Sequence, residues 1–281
     1  MKTIGFIDYY LSEWHANNYP AWIEEICKQT GKDFCVKYAW AEQDVSPVDG
    51  ATTDEWCEKF GVQKCGTIEE LCEKSDYILI LSPSNPEKHL AYAEKALKFG
   101  KNTYIDKTFA PDYKTAKQIF DIAEKYGTKF FSTSALRYAT ELKEVLNPVC
   151  VMVRGGGSNI AEYIIHQIEM IVTVLCATPQ TIEVNVLSDG KYKCQVDFSD
   201  GKCATMEFYR DYPFEISWTN CDNATQTSDI RSDYFKLLIV DILSFYESGV
   251  TSFDNKQTLR VMKIREGILK GLETLGKKID L

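Results

Sequence analysis

The chain has 281 residues with 32 basic and 41 acidic side chains, which gives a formal net charge of −9. Its hydrophobic fraction of 44% and charged fraction of 26% are ordinary for a globular protein, and its length is enough for two domains. The acidic residues are spread over both halves and no basic cluster occurs. This charge distribution argues against nucleic acid and against an anionic membrane surface as partners.

The N-terminus does not resemble a targeting segment, and the best apolar run, residues 170–177, is far too short to span a membrane. The ten cysteines include no Cys-x-x-Cys pair and the three histidines lie far apart, so we predict no metal site. We expect a cytoplasmic protein whose cysteines are reduced thiols, most of them small core residues.

The first half of the sequence alternates between strand and helix patterns. Short apolar runs predict buried strands at residues 3–7, 34–41, 77–81, 103–105 and 129–131. Helical patterns begin near Pro20, Asp54, Thr67, Pro86 and Pro111. This alternation predicts a doubly wound parallel α/β sheet in a domain over residues 1–135.

The second half has the pattern of an antiparallel sheet. Strands are predicted at residues 181–187, 192–198, 204–209 and 214–218. The tetrapeptide Ser-Asp-Gly-Lys occurs at two of the joints, and Asp-Gly favours a tight hairpin turn. We predict an α+β domain over residues 136–281, with about four to six strands covered by helices near residues 234–246 and 256–275.

Ligands of open parallel sheets bind beyond the carboxyl ends of the strands, so the residues after each strand are candidates. Lys107 is the first of them, because an ammonium group at a strand end can stabilise negative charge on a hydroxyl or carbonyl oxygen. The alternative is a surface lysine paired with Asp106.

A glycine run at residues 155–157 leads into a predicted helix that carries a second candidate group. Glu162, His166 and Glu169 lie on one face of this helix because they are four and three residues apart. A histidine beside a carboxylate can serve as a general base. The alternative is a partly buried histidine with a structural role.

Three motifs together resemble the glucose–fructose oxidoreductase, inositol dehydrogenase and rhizopine-catabolism (Gfo/Idh/MocA) family. The first is a strand ending in Ser82-Pro83, followed by His89 and then Gly100-Lys101 with Asp106-Lys107-Thr108, against the family's Thr-Pro, His, Gly-Lys-His-Val and Glu-Lys-Pro. The second is Glu162-x-x-x-His166-x-x-Glu169, where the family has Asp-x-x-x-His-x-x-Asp. The third is the closing segment Gly276–Leu281, which is similar to the family's Gly-Lys-x-Val-x-Leu.

The resemblance implies a Rossmann domain, an open antiparallel sheet, and hydride transfer between NAD(P) and a sugar, polyol or related hydroxyl compound. It implies that Lys107 contacts cofactor and substrate, that His166 takes or returns the hydroxyl proton, and that Glu162 replaces the family's aspartate. The expected cofactor contacts are Asp8, Tyr10, Glu42, Ser82, Pro83, His89 and Asp106. The expected substrate contacts are Arg137, Tyr138 and Glu169. The family's packing of open sheets implies a homodimer or homotetramer.

The sequence departs from the family where the dinucleotide's diphosphate binds. The fingerprint Gly-x-Gly-x-x-Gly falls on residues 8–13, which contain no glycine but include Asp8 and Glu13. These carboxylates are expected to repel a diphosphate and to occlude the start of the following helix. Thr108 replaces the family's proline, and residues 137–155 are a short segment for the family.

Two further readings follow from these departures. One is a non-redox descendant of the fold, a ligand sensor or regulatory partner with a degenerate dinucleotide site. The other is non-redox bond cleavage with a tightly held cofactor. If a dinucleotide binds, NAD is favoured over NADP because residues 1–135 contain no arginine to meet a 2′-phosphate.

Overall fold

The computed structural model describes residues 1–281 and divides into two compact units. The first unit comprises residues 1–133 and 238–255, and the second comprises residues 134–237 and 256–281. The first crossing lies two residues before the predicted boundary at 135, and the chain then returns once to the first unit. No helix is long and apolar enough to cross a membrane.

The first unit contains a six-stranded parallel sheet. Its strands are β1 (Lys2–Asp8), β2 (Phe34–Ala41), β3 (Gln63–Lys64), β4 (Tyr77–Ile80), β5 (Thr103–Ile105) and β6 (Phe130–Phe131). They lie in the order β3-β2-β1-β4-β5-β6. This is the doubly wound order of dinucleotide-binding folds, with its switch point between β1 and β4. The predicted α/β class is confirmed.

Eight α-helices are formed along the whole chain. They are α1 (Trp14–Thr30), α2 (Thr53–Phe60), α3 (Ile68–Lys74), α4 (His89–Ala96), α5 (Tyr113–Tyr126), α6 (Ile160–Val174), α7 (Tyr234–Ser248) and α8 (Gln257–Glu273). The prediction that the first helix begins near Pro20 is wrong, because the helix begins at Trp14, six residues earlier, where the Glu13 side chain caps it.

Most of helix α7 is part of the first unit, whereas the prediction assigned it to the antiparallel sheet. From Leu238 onward it belongs to the first unit. The Tyr246 hydroxyl donates a hydrogen bond to the Ile78 carbonyl oxygen at 2.8 Å, and the Phe245 ring packs edge-on against Phe131 at 4.9 Å between centroids. The apolar period of a helix identifies its buried face but not the sheet against which that face packs.

The second unit contains a seven-stranded sheet, one strand more than the upper end of the prediction. Its strands are β7 (Pro148–Gly155), β8 (Pro179–Ser188), β9 (Lys191–Phe198), β10 (Cys203–Phe208), β11 (Glu215–Asn220), β12 (Thr225–Asp229) and β13 (Lys278–Asp280). The order is β12-β11-β7-β10-β9-β8-β13, and only the β7–β10 pair is parallel. The polar β12 and the three-residue β13 lack the apolar alternation that predicts a strand.

Two cysteines of this sheet form a disulfide, so the prediction that all ten are reduced is wrong. Cys150 on β7 and Cys203 on β10 are direct partners in the parallel register, with their Cα atoms 4.9 Å apart. That separation suits a disulfide. The sequence does not reveal the pair because its members are 53 residues apart.

Candidate functional site

Two buried polar side chains meet at the switch point of the parallel sheet. Asp8 ends β1, and its Oδ1 accepts hydrogen bonds from the backbone N–H groups of Tyr9 (2.7 Å) and Ser82 (3.0 Å). Both Asp8 and Ser82 are 1% exposed, and neither Asp8 Oδ2 nor Ser82 Oγ has a hydrogen-bond partner. Burial, and next the charge of Glu13, raises the pKa of Asp8 well above its usual value.

The N-terminus of α1 is occupied by a carboxylate of the chain itself. Glu13 is 8% exposed and accepts hydrogen bonds from the backbone N–H of His15 (2.8 Å) and from that of Ala16. These two N–H groups have no partner within the helix, and they are donors that an anion at a helix N-terminus uses. Burial raises the pKa of Glu13, although His15 and the two backbone donors oppose the shift.

The loop after β2 is fastened to the turn between β1 and α1. The Ser12 hydroxyl donates to Asp49 Oδ2 at 2.7 Å, and the Ser46 hydroxyl donates to the Ser12 carbonyl at 2.9 Å. A cavity of about 440 Å³ lies beside these hydrogen bonds. It is lined by Ser12, Asp49, Gly50, Ala51, Glu55, Trp56 and Lys59.

Glu42 directly follows β2, where a Rossmann fold places the carboxylate that binds the ribose hydroxyls. It accepts a hydrogen bond from the Tyr92 hydroxyl at 2.8 Å and forms an ion pair with Lys88. Burial alone would raise the pKa of Glu42, but the bonds from Lys88 and Tyr92 hold it below its usual value. Tyr10, also predicted to contact the cofactor, packs edge-on against the neighbouring ring of Tyr9 at 5.9 Å between centroids.

A buried histidine–aspartate pair joins the start of α1 to the end of β5. His15 Nδ1 is hydrogen-bonded to Asp106 Oδ2, and the His15 ring stacks on Tyr19 at 5.2 Å between centroids. Asp106 Oδ1 also accepts from the Tyr104 hydroxyl (3.2 Å) and the Lys107 backbone N–H (2.8 Å). Burial alone would raise the pKa of Asp106, but His15 and Lys107 hold it below its usual value. The sequence does not reveal this pair because 91 residues separate its members.

Lys107 follows β5 and is only 9% exposed. Its ammonium group forms no hydrogen bond or ion pair with another side chain, so it is not the surface lysine paired with Asp106 of the alternative reading. Its peptide bond to Thr108 is cis. The first unit therefore places an uncommitted, nearly buried cation next to the His15–Asp106 pair.

His89 has both ring nitrogens engaged by the backbone. Nδ1 lies 3.0 Å from the Phe109 carbonyl oxygen and Nε2 lies 2.5 Å from the Leu81 carbonyl oxygen, and the residue is completely buried. This arrangement leaves no ring nitrogen for the predicted cofactor contact. The ring instead fastens the start of α4 to the end of β4. The preceding Pro83, another predicted cofactor contact, is also buried.

The second unit holds the predicted histidine on α6. His166 Nδ1 lies 2.7 Å from the Ser134 hydroxyl, and its ring packs edge-on against Phe214 at 5.9 Å between centroids. Glu162 Oε2 accepts a hydrogen bond from the side chain of Asn159, which caps the helix. Ser134 is thus a partner of His166 that the sequence analysis did not assign.

A close approach of two backbone segments explains one glycine before α6. A Cβ atom at Gly156 would lie 1.7 Å from the Tyr209 carbonyl oxygen, which excludes every other residue from this position without a backbone shift.

Arg137 and Glu169, two predicted substrate contacts, are paired with each other. Arg137 Nε donates to Glu169 Oε1 at 2.6 Å, and Arg137 Nη1 donates to Gln257 Oε1 at 2.7 Å. Both members of the pair are buried, whereas Tyr138 is partly exposed. Their ion pair fixes the segment after Ser134 to α6, and substrate contact by these three residues stays a prediction.

Residues 43–134 match the sequence model of the Gfo/Idh/MocA family, described as an oxidoreductase family with an NAD-binding Rossmann fold. This match covers about a third of the chain and agrees with the predicted resemblance over that segment. An uncharacterized oxidoreductase of Escherichia coli, YhhX, is 32% identical over 60 residues, which are 21% of this chain and 17% of that relative. The matched residues begin after β2, so the turn that contains Asp8 and Glu13 lies outside the family match.

Solved structures of dehydrogenases share the fold over nearly the whole chain. A probable dehydrogenase from Thermotoga maritima has a TM-score of 0.81 at 14% identity, and covers 99% of this chain and 98% of its own. A myo-inositol dehydrogenase from Lactobacillus casei, solved with NAD(H) and myo-inositol, has a TM-score of 0.80 at 11% identity. That match covers 100% of this chain and 96% of the other.

The residues at the strand ends fit two of the three parts of a nicotinamide dinucleotide. Glu42 supplies carboxylate oxygens after β2, where ribose hydroxyls are bound. Ser82, after β4, has a buried hydroxyl without a hydrogen-bond partner, and Lys107, after β5, has an ammonium group that takes part in no ion pair. The N–H groups for the diphosphate are also present at α1, and Glu13 is the residue that occupies them.

Proposed function

We propose that this chain is an oxidoreductase that transfers a hydride between NAD and a hydroxyl or keto group of a small polyhydroxy compound, such as a sugar or polyol. The uncommitted ammonium group of Lys107, in the segment that matches an NAD-binding oxidoreductase family, carries the proposal. When it is bound, the nicotinamide ring supplies the hydride acceptor or donor.

Lys107 stabilises the negative charge that develops on the substrate oxygen. A cation is most effective in this role when it is shielded from water and not already paired, and Lys107 meets both conditions. Asp106 lies next to it in the chain but directs its carboxylate to His15, Tyr104 and the Lys107 backbone N–H. The His15–Asp106 pair therefore positions the segment that carries Lys107, and the hydrogen bonds of the Asp106 carboxylate go to groups other than the Lys107 ammonium.

His166 is the proposed acceptor of the substrate's hydroxyl proton. Its Nδ1 is engaged by the Ser134 hydroxyl, which orients the imidazole ring on α6. The resemblance gives Glu162 the position of the family's aspartate, and Glu162 accepts a hydrogen bond from the helix cap Asn159. Glu162 thus remains a proposed electrostatic neighbour of the reaction.

NAD is proposed rather than NADP because the group after β2 is anionic. Glu42 would repel a 2′-phosphate, whereas its carboxylate can accept hydrogen bonds from ribose hydroxyls. Lys88 is the cation nearest to Glu42, and it is already paired with it.

The test is a screen of polyols and sugars with NAD⁺, followed by kinetics on the best substrate. Lys107→Met should lower kcat by about 10²–10³-fold because it removes one preorganised electrostatic group from the reaction. Lys107→Arg should recover part of that loss, since it keeps the charge. Lys117→Met, on the exposed face of α5, is the matched control and should keep wild-type kinetics. Equal rates for Lys107→Met and the wild type would refute the role of Lys107.

The second candidate is a non-redox descendant of the fold that binds a polyhydroxy ligand without a dinucleotide. The position of Glu13 on the α1 N-terminus favours it. It predicts no binding of NAD⁺ or NADH at millimolar concentration, together with micromolar binding of a sugar or polyol alone. Calorimetric titration of the cofactor-stripped protein separates the two candidates.

Assembly and location are further proposals. We propose a homodimer or homotetramer, as the family resemblance implies, which light scattering behind a sizing column measures directly. We also propose a cytoplasmic location, which fractionation of the source cells would test.

A further inference from the structure

We propose that Glu13 is a carboxylate latch, a side chain that closes the N-terminus of α1 and sets the affinity of the chain for a dinucleotide. The inference rests on the proposed use of NAD and concerns the control of that same site. It assigns Glu13 no part in the chemistry of the reaction.

The latch competes for the donors that a diphosphate needs. Glu13 accepts hydrogen bonds from the N–H groups of both His15 and Ala16, and it is more than nine-tenths buried while doing so. A bound diphosphate and the Glu13 carboxylate cannot both take these two donors. Binding of the anion at this helix end therefore requires the Glu13 side chain to move away.

A second buried acidic side chain further disfavours the binding of an anion at the turn between β1 and α1. Asp8, at the end of β1, is influenced by the charge of Glu13, and its Oδ2 has no hydrogen-bond partner. A diphosphate that reaches α1 thus meets two carboxyl groups rather than the glycines of the usual fingerprint. In their ionised form both groups repel a diphosphate, which adds an electrostatic cost to the lost hydrogen bonds.

The loop after β2 holds the latched turn in place. Hydrogen bonds from Ser12 to Asp49 and from Ser46 to the Ser12 carbonyl fasten the residue directly before Glu13 to this loop. Opening of the latch is therefore coupled to movement of a neighbouring segment. The observed affinity should be the intrinsic affinity reduced by the fraction of molecules that are open.

Glu13→Ser removes the carboxylate and its charge and frees at least one of the two N–H donors, while the serine hydroxyl can still cap the helix through the other. Asp112→Ser is the matched control, since Asp112 is also an N-cap carboxylate, on α5, and accepts from the Thr115 N–H at 2.7 Å. NAD⁺ and ADP-ribose are titrated by calorimetry into both variants and the wild type. Glu13→Ser should bind both probes at least about tenfold more tightly than the wild type, a difference of about 1.4 kcal/mol. Asp112→Ser should bind like the wild type.

The outcomes separate the latch from the proposed function. Equal or weaker binding by Glu13→Ser, with measurable binding by the wild type, would overturn the latch and leave the proposed function standing. No binding by any of the three proteins would overturn both. If Glu13→Ser does not fold, Glu13→Gln replaces it: glutamine keeps the size and one acceptor but not the charge, so a smaller gain in affinity in the same direction is expected, and unchanged or weaker binding would overturn the latch.

Discussion

Two buried aspartates at the carboxyl end of the parallel sheet have opposite electrostatic surroundings. Asp106 is hydrogen-bonded to His15 and Tyr104, and its pKa lies below the usual value even though burial acts in the other direction. Asp8 has two backbone donors on one oxygen and none on the other, and its pKa is raised by burial and by Glu13. The two residues should therefore change the stability of the protein with opposite dependence on pH.

Asp106→Asn is expected to destabilise the protein by about 1.5–3 kcal/mol near neutral pH, because it removes the charged acceptor of the buried hydrogen bonds from His15 and Tyr104. A lowered folded-state pKa means that the contribution of Asp106 is complete above the unfolded-state pKa, about 3.9, and is lost as pH falls through the folded value. Urea unfolding of both proteins at several pH values measures the difference. A difference that stays constant down to the acid limit would contradict the assignment.

Asp8→Asn is expected to change the stability of the protein in the opposite direction to Asp106→Asn. A raised folded-state pKa means that ionised Asp8 costs stability, and that this cost is absent below the unfolded-state pKa and grows as pH rises towards the folded value. Asparagine keeps an oxygen for the Tyr9 and Ser82 N–H groups. Asp8→Asn should therefore stabilise the protein near neutral pH by about 1–3 kcal/mol, with the gain disappearing in acid.

At the scale of elements, the sequence predicts strands and helices best in two cases. These are strands that are buried on both faces and helices that carry their own N-cap residue. Strand β4 and helix α3 are local features of this kind: a continuous apolar run and a capping threonine, Thr67. Strand β12 has no apolar residue, and the position of α7 depends on partners more than one hundred residues away. These elements are set by tertiary contacts, which local patterns do not encode.

The same distinction applies to the candidate site. The sequence alone indicates Lys107 as a candidate site residue, because it closely follows a predicted strand. The His15–Asp106 pair and the Ser134–His166 contact were not found, since each joins side chains far apart in the chain. The absence of glycine at residues 8–13 predicts an occluded helix start, but only the three-dimensional structure identifies Glu13 as the group that occupies it.

The disulfide between β7 and β10 is expected to stabilise the folded protein. Oxidation closes a loop of 53 residues, and the chain-entropy relation gives about 4 kcal/mol of stabilisation. Urea unfolding with and without a reductant should show this loss, and a Cys150→Ala/Cys203→Ala variant should be insensitive to the reductant. Alkylation of the unfolded, unreduced protein should label eight cysteines; labelling of all ten would contradict the bond.

At the scale of the whole molecule, the first unit is discontinuous in sequence. Residues 238–255 return to it after the chain has formed most of the second unit. Within the first unit the Tyr246 ring stacks on Tyr77 at 4.7 Å between centroids, and Phe245 and Tyr246 are each 1% exposed. Rings buried to this degree contribute several kcal/mol each, so the parallel sheet depends on a segment that lies over one hundred residues beyond its last strand.

The fragment 1–133 should therefore not fold stably, although it contains all six strands of the parallel sheet. Without residues 238–255, the faces of Tyr77 and Phe131 that pack against α7 are exposed to water, and the fragment should bind a hydrophobic dye and melt without a cooperative transition. Joining residues 238–255 to its end through a flexible Gly/Ser linker should restore cooperative unfolding. The same fusion with Phe245→Ala and Tyr246→Ala is the control and should behave like the bare fragment. Cooperative unfolding of 1–133 alone, at the stability of the fusion, would show that the strands and α1–α5 suffice and that α7 is only an accessory helix.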